Sequence, residues 1–216
     1  MRASFTLATA TRERELVVTT LERSTYHHGD LRTVLLSTGV AMLEAGEPFS
    51  LRALARQARV SPAAPYRHFA DRSALESALA VQGLQDLMRD LTQGRSEATS
   101  SADVADLAVR YVQFALRRPA MFRLMFGREC DHQDDERIRA ATALHDYLGA
   151  VMADVFPDAD AQALAMAGWS LAHGLACLHL DGKFASSDQS AVDERVRSTV
   201  AAVFPRNPTN RTPRTS

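Results

Sequence analysis

Five arginines between positions 49 and 72 are the residues whose chemistry is easiest to interpret. They are Arg52, Arg56, Arg59, Arg67 and Arg72, and Asp71 is the only acidic residue in the same stretch. Guanidinium groups gathered on one face displace the counterions around nucleic-acid phosphates, which gives affinity without sequence preference. The pattern therefore predicts a DNA-binding surface or, equally, the solvated arginine face of a helical bundle.

Two other groupings could do chemistry, and both fit a different role better. His173 and Cys177 stand four residues apart, a spacing that places two metal ligands on one helical face, but no recognisable pattern supplies further ligands. The acidic residues between 129 and 136 are typical of a solvated loop. No nucleophile elbow, phosphate-binding glycine loop or zincin motif occurs in the sequence. We therefore expect no metal, no cofactor and no enzymatic activity.

Length and composition fit an ordinary folded protein. The chain has 216 residues, 46% of them hydrophobic, and a net charge of −1. This length suits one large or two small domains. Two cysteines cannot form a disulfide framework, and residues 1–25 lack the apolar core of a secretory signal. We expect a cytoplasmic protein with no membrane span.

Helical periodicity covers most of the chain, and no run alternates as a strand would. The sequence thus predicts an all-α fold, with a flexible N-terminal extension over residues 1–25 and a flexible tail over 205–216. Between them we expect a helix-turn-helix domain at 26–94 and a second helical domain at 101–204. The small, polar residues after position 93 fit a loop between the two.

Helix start signals divide the first domain. The hydroxyl of Ser50 can cap a short helix, Ser61 can cap a second helix over Pro62–Phe69, and Asp71 can cap a longer helix that closes near Gly94. Two short helices joined by a tight turn, after a leading helix, are the parts of a helix-turn-helix.

The residues themselves then resemble a known family. The runs His28-Gly-Asp-Leu-Arg32, Phe49-Ser-Leu-Arg-Ala-Leu-Ala-Arg56 and Val60-Ser-Pro-Ala-Ala-Pro-Tyr-Arg-His-Phe-Ala-Asp71 are similar to the DNA-binding domain of TetR-type transcriptional repressors. The match covers about residues 26–90. It departs from the family at Arg59, where a glycine is usual, and a positive φ at this residue would be strained.

The resemblance implies which side chains meet DNA. Ala63 and Ala64 would let the backbone approach base edges, Arg67 would read a guanine or contact a phosphate, and Tyr66 and His68 would contact phosphates. The whole expected set is Ser50, Arg52, Ser61, Pro62, Ala63, Ala64, Tyr66, Arg67, His68 and Arg72.

The second half resembles a subgroup of the same family. The run Pro119–Gly127 and the Trp169…His173-Gly174 pattern carry this likeness. The resemblance implies a small-molecule effector and a homodimer formed by the last two helices, about Asp160–Leu180 and Ala191–Phe204. The first of these is uncharged from Ala161 onward, and we expect protein rather than lipid to bury it on several sides.

Candidate effector contacts follow from that likeness: Tyr111, Phe122, Met125, Trp169, His173 and Cys177. Plain core packing is the alternative for the stripe that contains Trp169 and His173. We predict a ligand-responsive repressor that binds a palindromic operator as a dimer and is released by a small molecule. The alternative is a constitutive dimeric regulator without an effector. A charge at Ala176 or Val200 is expected to disrupt the dimer or unfold the chain.

Overall fold

The computed structural model describes residues 28–94, 98–127, 135–184 and 188–204, and their regular structure is helical throughout. The all-α fold class is confirmed. The predicted flexible extension and tail lie outside these ranges. The helices are α1 (His28–Glu44), α2 (Leu51–Gln57), a 3₁₀ helix (Pro65–Arg67), α3 (Arg72–Thr92), α4 (Ser101–Arg117), α5 (Pro119–Phe126), α6 (Asp135–Val155), α7 (Ala161–Leu180) and α8 (Gln189–Val203).

A first hydrophobic cluster holds α1, α2, the 3₁₀ helix and the start of α3 together. Leu35, Leu54 and Phe69 are almost fully buried at its centre. The predicted caps are confirmed: the Ala53 N–H donates to Ser50 Oγ at 3.1 Å, and the Ala74 N–H donates to the Asp71 carboxylate at 2.8 Å. These caps fix where α2 and α3 begin, and so fix the length of chain between them.

A second hydrophobic cluster is built around α4. This helix packs against α7 and α8, while α6 packs against α7 and α3. Phe114, Phe122 and Val112 are among its almost fully buried side chains. A capping box formed by Ser100 and Asp103 satisfies the first turn of α4.

Helices α3 and α5 join the two clusters. Leu124 on α5 packs against both of them. α5 lies very close to α3 because Gly83 has no side chain: a Cβ there would stand 2.7 Å from the sulfur atoms of Met121 and Met125. At the start of α5, Arg118 holds Glu44 of α1 at 3.1 Å. The two halves of the chain are thus fastened by packing and by charge.

Helix α7 departs from the expectation of burial on several sides. Ala165, Ala172 and Ala176 point into the second cluster, whereas Met166 and Leu178 on the other side are 51% and 43% exposed. By length and composition alone α7 could cross a bilayer. Its inner face is nonetheless packed on α4, α6 and α8 of the same chain.

Candidate DNA-binding surface and aromatic cluster

The turn between α2 and the next helix is closed by the backbone of Arg59. The Val60 N–H donates to the Ala55 carbonyl at 3.0 Å, and the Arg59 N–H donates to the Arg56 carbonyl at 3.2 Å. These bonds form a Schellman motif, which requires a left-handed residue at its pivot. Arg59 adopts a φ of 55°, as the departure from glycine predicts.

The recognition segment, residues 61–69, contains fewer helical residues than the sequence predicts. In place of an α-helix over Pro62–Phe69, it forms a 3₁₀ helix at Pro65–Arg67. An α-helix capped by Ser61 would need an N–H at residue 65 to bond the Ser61 carbonyl, and Pro65 has none. The Ala64 N–H fills that role at 2.9 Å, and no side chain caps the 3₁₀ helix. The prediction of Ser61 as a side-chain cap is therefore wrong.

Most of the expected DNA contacts lie on the protein surface. The exposed ones are Ser50, Arg52, Ser61, Pro62, Ala63, Tyr66, Arg67 and Arg72, and His68 is partly buried. Ala64 is the exception, because it is only 9% exposed. Little of its methyl group lies on the surface, and its expected contact with a base edge stays a prediction. Tyr66, which is 50% exposed, presents a large side chain in the same segment.

Two cation–π contacts hold the framework behind this surface. The guanidinium of Arg32 lies 5.7 Å from the ring centre of Phe69, the buried anchor of the recognition segment. Arg72 lies over Phe49 and pairs with Glu76 at 2.6 Å. Within the described ranges, Arg52, Arg56 and Arg67 form no ion pair, so their charges are available to an external anion.

Several of the expected effector contacts meet in one aromatic cluster, made of Tyr111, Phe122, Phe126, Trp169 and His173. The Trp169 N–H donates to the Tyr111 hydroxyl at 3.1 Å, and that hydroxyl lies 2.9 Å from His173 Nδ1. Phe122 stacks on the His173 ring with ring centres 5.2 Å apart, and Phe126 meets the same imidazole edge-on at 4.8 Å.

Burial sets the protonation of this cluster. It raises the pKa of the Tyr111 hydroxyl and lowers the pKa of the His173 imidazole. A neutral imidazole can accept at Nδ1, and Tyr111 can donate to it while accepting from Trp169. The Tyr111 hydroxyl thus both donates and accepts within the cluster, while the imidazole keeps its proton on Nε2.

A small apolar cavity adjoins the cluster. Tyr111 and Trp169 line it together with Met152 and Phe204, and its volume is about 30 Å³, roughly the space of one water. Phe122, Met125, His173 and Cys177 do not line this cavity. Met125 packs against Gly83 instead, and Cys177 is a free, partly buried thiol whose pKa is raised by burial.

Comparison with known proteins agrees with this architecture. Residues 104–203 match the family model of the tetracycline-repressor-like C-terminal domain. A Rhodococcus protein of unknown function is 32% identical over 84% of this chain and 99% of its own, with a TM-score of 0.71. A TetR-family regulator from Rhodococcus is 16% identical over 81% of this chain and 97% of its own, with a TM-score of 0.62.

The chain belongs to the TetR family of transcriptional regulators. A third similar structure, the Bacillus subtilis regulator FadR, was solved with stearoyl-CoA; it is 10% identical over 78% of this chain and 97% of its own, with a TM-score of 0.58. No curated protein matches the sequence. Membership in this family indicates a regulator rather than an enzyme.

Sequence reasoning on this TetR-family chain missed several members of the second site. Phe126 could have been found, because it follows Phe122 by four residues and so shares its helical face. His145 lies 6.3 Å from Trp169, and its buried Nδ1 has no hydrogen-bond partner among the described residues. Met152 and Phe204 reach the cavity from α6 and from the end of α8, and no local pattern signals such a meeting.

The histidines and cysteine of this regulator do not assemble a metal site in the part of the chain that the structure describes. No group of three or more His, Cys, Asp or Glu side chains converges there. Cys130 lies outside the described residues.

Proposed function

We propose that this TetR-family regulator is a homodimeric repressor that binds a palindromic operator through its helix-turn-helix and is released by a small molecule in the cytoplasm. The observation that carries the proposal is the recognition segment, which stands on the surface with Tyr66 and Arg67 exposed and unpaired arginines beside it. Such a surface supplies both phosphate affinity and a donor for base edges.

The side chains around the recognition segment have distinct roles in this proposal. Arg67 reads a base or holds a phosphate, while Tyr66 and His68 contact the backbone of the duplex. Ser50 caps α2 with its oxygen and keeps its hydroxyl hydrogen for a phosphate. Arg52 and Arg72 flank these contacts. Ser61, Pro62 and Ala63 present a compact edge that a major groove can accept.

Replacement of Arg67 by Ala tests the DNA-binding part. We expect operator affinity to fall by about 1–3 kcal/mol, with relaxed selectivity at one or two base pairs. Fluorescence anisotropy with operator and random duplexes measures this, after genome-wide mapping of bound sites has identified the operator. Equal losses on both duplexes would make Arg67 a phosphate contact. The matched control is Arg139→Ala, an exposed arginine on α6 that should leave both affinities unchanged.

The outer face of α7 supports the dimer. Met166, Ser170, Gly174 and Leu178 follow one another at four-residue intervals and form a ridge with two small residues at its centre. A Cβ at Gly174 would meet nothing within 4 Å, so the ridge is open within its own subunit. Ridges of this kind pack into the grooves of another helix. Together with the exposed Val203 of α8, the ridge is the surface that we assign to the second copy.

A bulky residue at Gly174 tests this interface without disturbing the subunit. Gly174→Leu has open space around it, so we expect a folded monomer with greatly weakened operator binding, measured by light scattering and anisotropy. The buried positions behave differently: Ala176 and Val200 are 0% and 2% exposed inside one subunit, so a charge there should unfold the chain. A folded Gly174→Leu dimer with unchanged operator affinity would remove α7 from the interface.

The effector part is supported by the cavity beside Trp169. Its lining is apolar, and its present volume admits about one water. A larger ligand can enter only if Met152, Phe204 and the helices that carry them move apart. That coupling gives a ligand the differential affinity that release from DNA requires. FadR, which binds stearoyl-CoA, makes acyl-CoA compounds the first effectors to test.

The small volume of the cavity also favours the alternative, a constitutive dimeric regulator whose second half only packs and dimerises. Trp169 is the only tryptophan of the chain, so its fluorescence reports on this site alone. Titration with stearoyl-CoA should shift Trp169 emission and lower operator affinity if the chain is ligand-responsive. If neither quantity changes with acyl-CoA compounds or with a metabolite library screened by thermal shift, the constitutive alternative is favoured.

A further inference from the structure

Three of the described helices end in the same hydrogen-bond pattern. At the end of α1, the Glu47 N–H donates to Met42 and the Gly46 N–H donates to Leu43. At the end of α7, the Lys183 N–H donates to Leu178 and the Gly182 N–H donates to His179. The end of α2 repeats the pattern with Arg59 as the pivot. The pivot φ is 66° at Gly46, 63° at Gly182 and 55° at Arg59.

The pivot at Arg59 is the strained one. A left-handed backbone is free of steric conflict for glycine, whereas the Cβ of an arginine crowds the neighbouring carbonyl. Arg59 is the only non-glycine residue with positive φ in the described ranges. Its side chain is exposed and makes no ion pair with any described residue, so no ion pair within the subunit accounts for an arginine at this position.

The location of Arg59 suggests what does account for it. The residue lies two positions before Ser61, where the recognition segment begins, and three after Arg56, whose carbonyl it bonds. Arg59 therefore places an exposed cation close in the chain to the segment that we assign to the major groove. The left-handed backbone serves the turn, but an arginine side chain adds only strain there, so the presence of arginine instead of glycine points to a role in function.

We propose that Arg59 contacts a phosphate of the bound duplex, as a DNA contact additional to those the helix-turn-helix of this chain is expected to make. The inference rests on the proposed DNA-binding function. An arginine at this position strains the turn more than a glycine would, but it adds one cation at the edge of the groove. The contact is to the backbone and carries no base preference.

The test is Arg59→Gly in the full-length chain. The variant relieves the left-handed strain, so we expect its melting temperature to rise by about 2–4 °C. Binding to a random-sequence 30-base-pair duplex, followed by fluorescence anisotropy from 50 to 200 mM salt, should weaken. Each subunit should lose about 0.9 from the slope of log affinity against log salt, or about tenfold in affinity at 0.1 M salt. A gain in stability with a loss of binding is not expected of a merely structural residue.

Two control variants separate the alternatives. Arg59→Lys keeps both the charge and the strained backbone, so its melting temperature and salt slope should stay near those of the parent. Arg139→Gln removes an equivalent exposed charge from α6 and should leave the slope unchanged. An Arg59→Gly protein with the parental slope would overturn the proposal, and so would an Arg59→Lys protein that loses binding as fully as Arg59→Gly. If the parent chain itself does not bind the duplex, the proposed DNA-binding function fails first.

Discussion

The two halves of the chain place their candidate site residues differently: the first half exposes them, and the second half packs them against one another. In the N-terminal half, Tyr66 and Arg67 project from a short turn whose buried anchor is Phe69. In the C-terminal half, the buried Tyr111 lies between the partly buried Trp169 and His173 and forms a hydrogen bond with each. One region is ready to meet a partner as it stands, while the other has to be opened before a partner can enter.

The difference follows from how each region is built. The recognition segment comes from nine consecutive residues, so capping and turn chemistry determine its shape. The aromatic cluster draws on α4, α5 and α7, and its cavity also involves α6 and the end of α8. Mutations should therefore affect binding in the first region and stability in the second.

Phe122→Ala and Tyr66→Ala should differ most in their effects on the free energy of unfolding and on DNA binding. Phe122 is 1% exposed, so its truncation should leave a cavity and lower the free energy of unfolding by about 3–5 kcal/mol. Tyr66→Ala should change that free energy by less than about 0.5 kcal/mol and should weaken DNA binding instead. Urea unfolding followed by circular dichroism, together with anisotropy on operator DNA, measures both quantities.

The same two variants would also reveal whether the two regions are built alike. If Phe122→Ala is nearly as stable as the parent, the aromatic cluster is loosely packed and is already an open site. If Tyr66→Ala unfolds the chain more readily, Tyr66 belongs to the core of the first domain and is not a DNA contact.

Arg118, together with Asp86 and Glu44, forms the joint between the two regions. Arg118 donates to Asp86 at 2.7 Å and to Glu44 at 3.1 Å, and its guanidinium lies 5.5 Å from the ring centre of Phe114. Burial works against its charge, but the bonds and charges of Asp86 and Glu44 outweigh burial and raise the pKa of Arg118. Arg118→Ala leaves both carboxylates without this cation, so we expect a loss of about 1–3 kcal/mol in the free energy of unfolding.

A double-mutant cycle isolates the contact with the first domain. Glu44→Gln removes only the link to α1, and its effect should shrink when Arg118 is already alanine. Full additivity of the two changes would mean that Arg118 does not couple α1 to α5. Lower operator affinity in Arg118→Ala, measured at a temperature where the variant is fully folded, would show that the joint also orients the recognition segment.

The sequence predicts local features of this chain far better than assembled ones. Ser50 and Asp71 cap their helices as expected, and Arg59 takes the predicted left-handed turn, because a few neighbouring residues decide each of these. The same reasoning failed at Pro62–Phe69, where the missing N–H of Pro65 outweighed the helical pattern, and it did not anticipate the burial of Ala64. For Ala176 and Val200 the sequence leaves open whether a charge disrupts the dimer or unfolds the chain, since a helical stripe does not reveal which neighbour covers it. Their burial within the subunit favours unfolding.

The smallest expected effect is a dependence of the free energy of unfolding on pH, caused by His173. Burial lowers the pKa of this imidazole below its ordinary value of 6.5, so the unfolded chain takes up a proton more readily than the folded one. The contribution to stability is therefore intact above about pH 6.5 and is lost progressively as the pH falls below it. His179, whose pKa is lowered by burial and by the charge of Arg195, adds in the same direction.

Melting temperatures between pH 7.5 and 5 should fall less in His173→Gln than in the parent, because glutamine can still accept from Tyr111 but does not titrate. His179→Gln, measured alongside, separates the two histidines. Identical pH profiles for the parent and His173→Gln would show that the imidazole is as accessible to protons in the folded chain as in the unfolded one, and that this part of the aromatic cluster is open rather than closed.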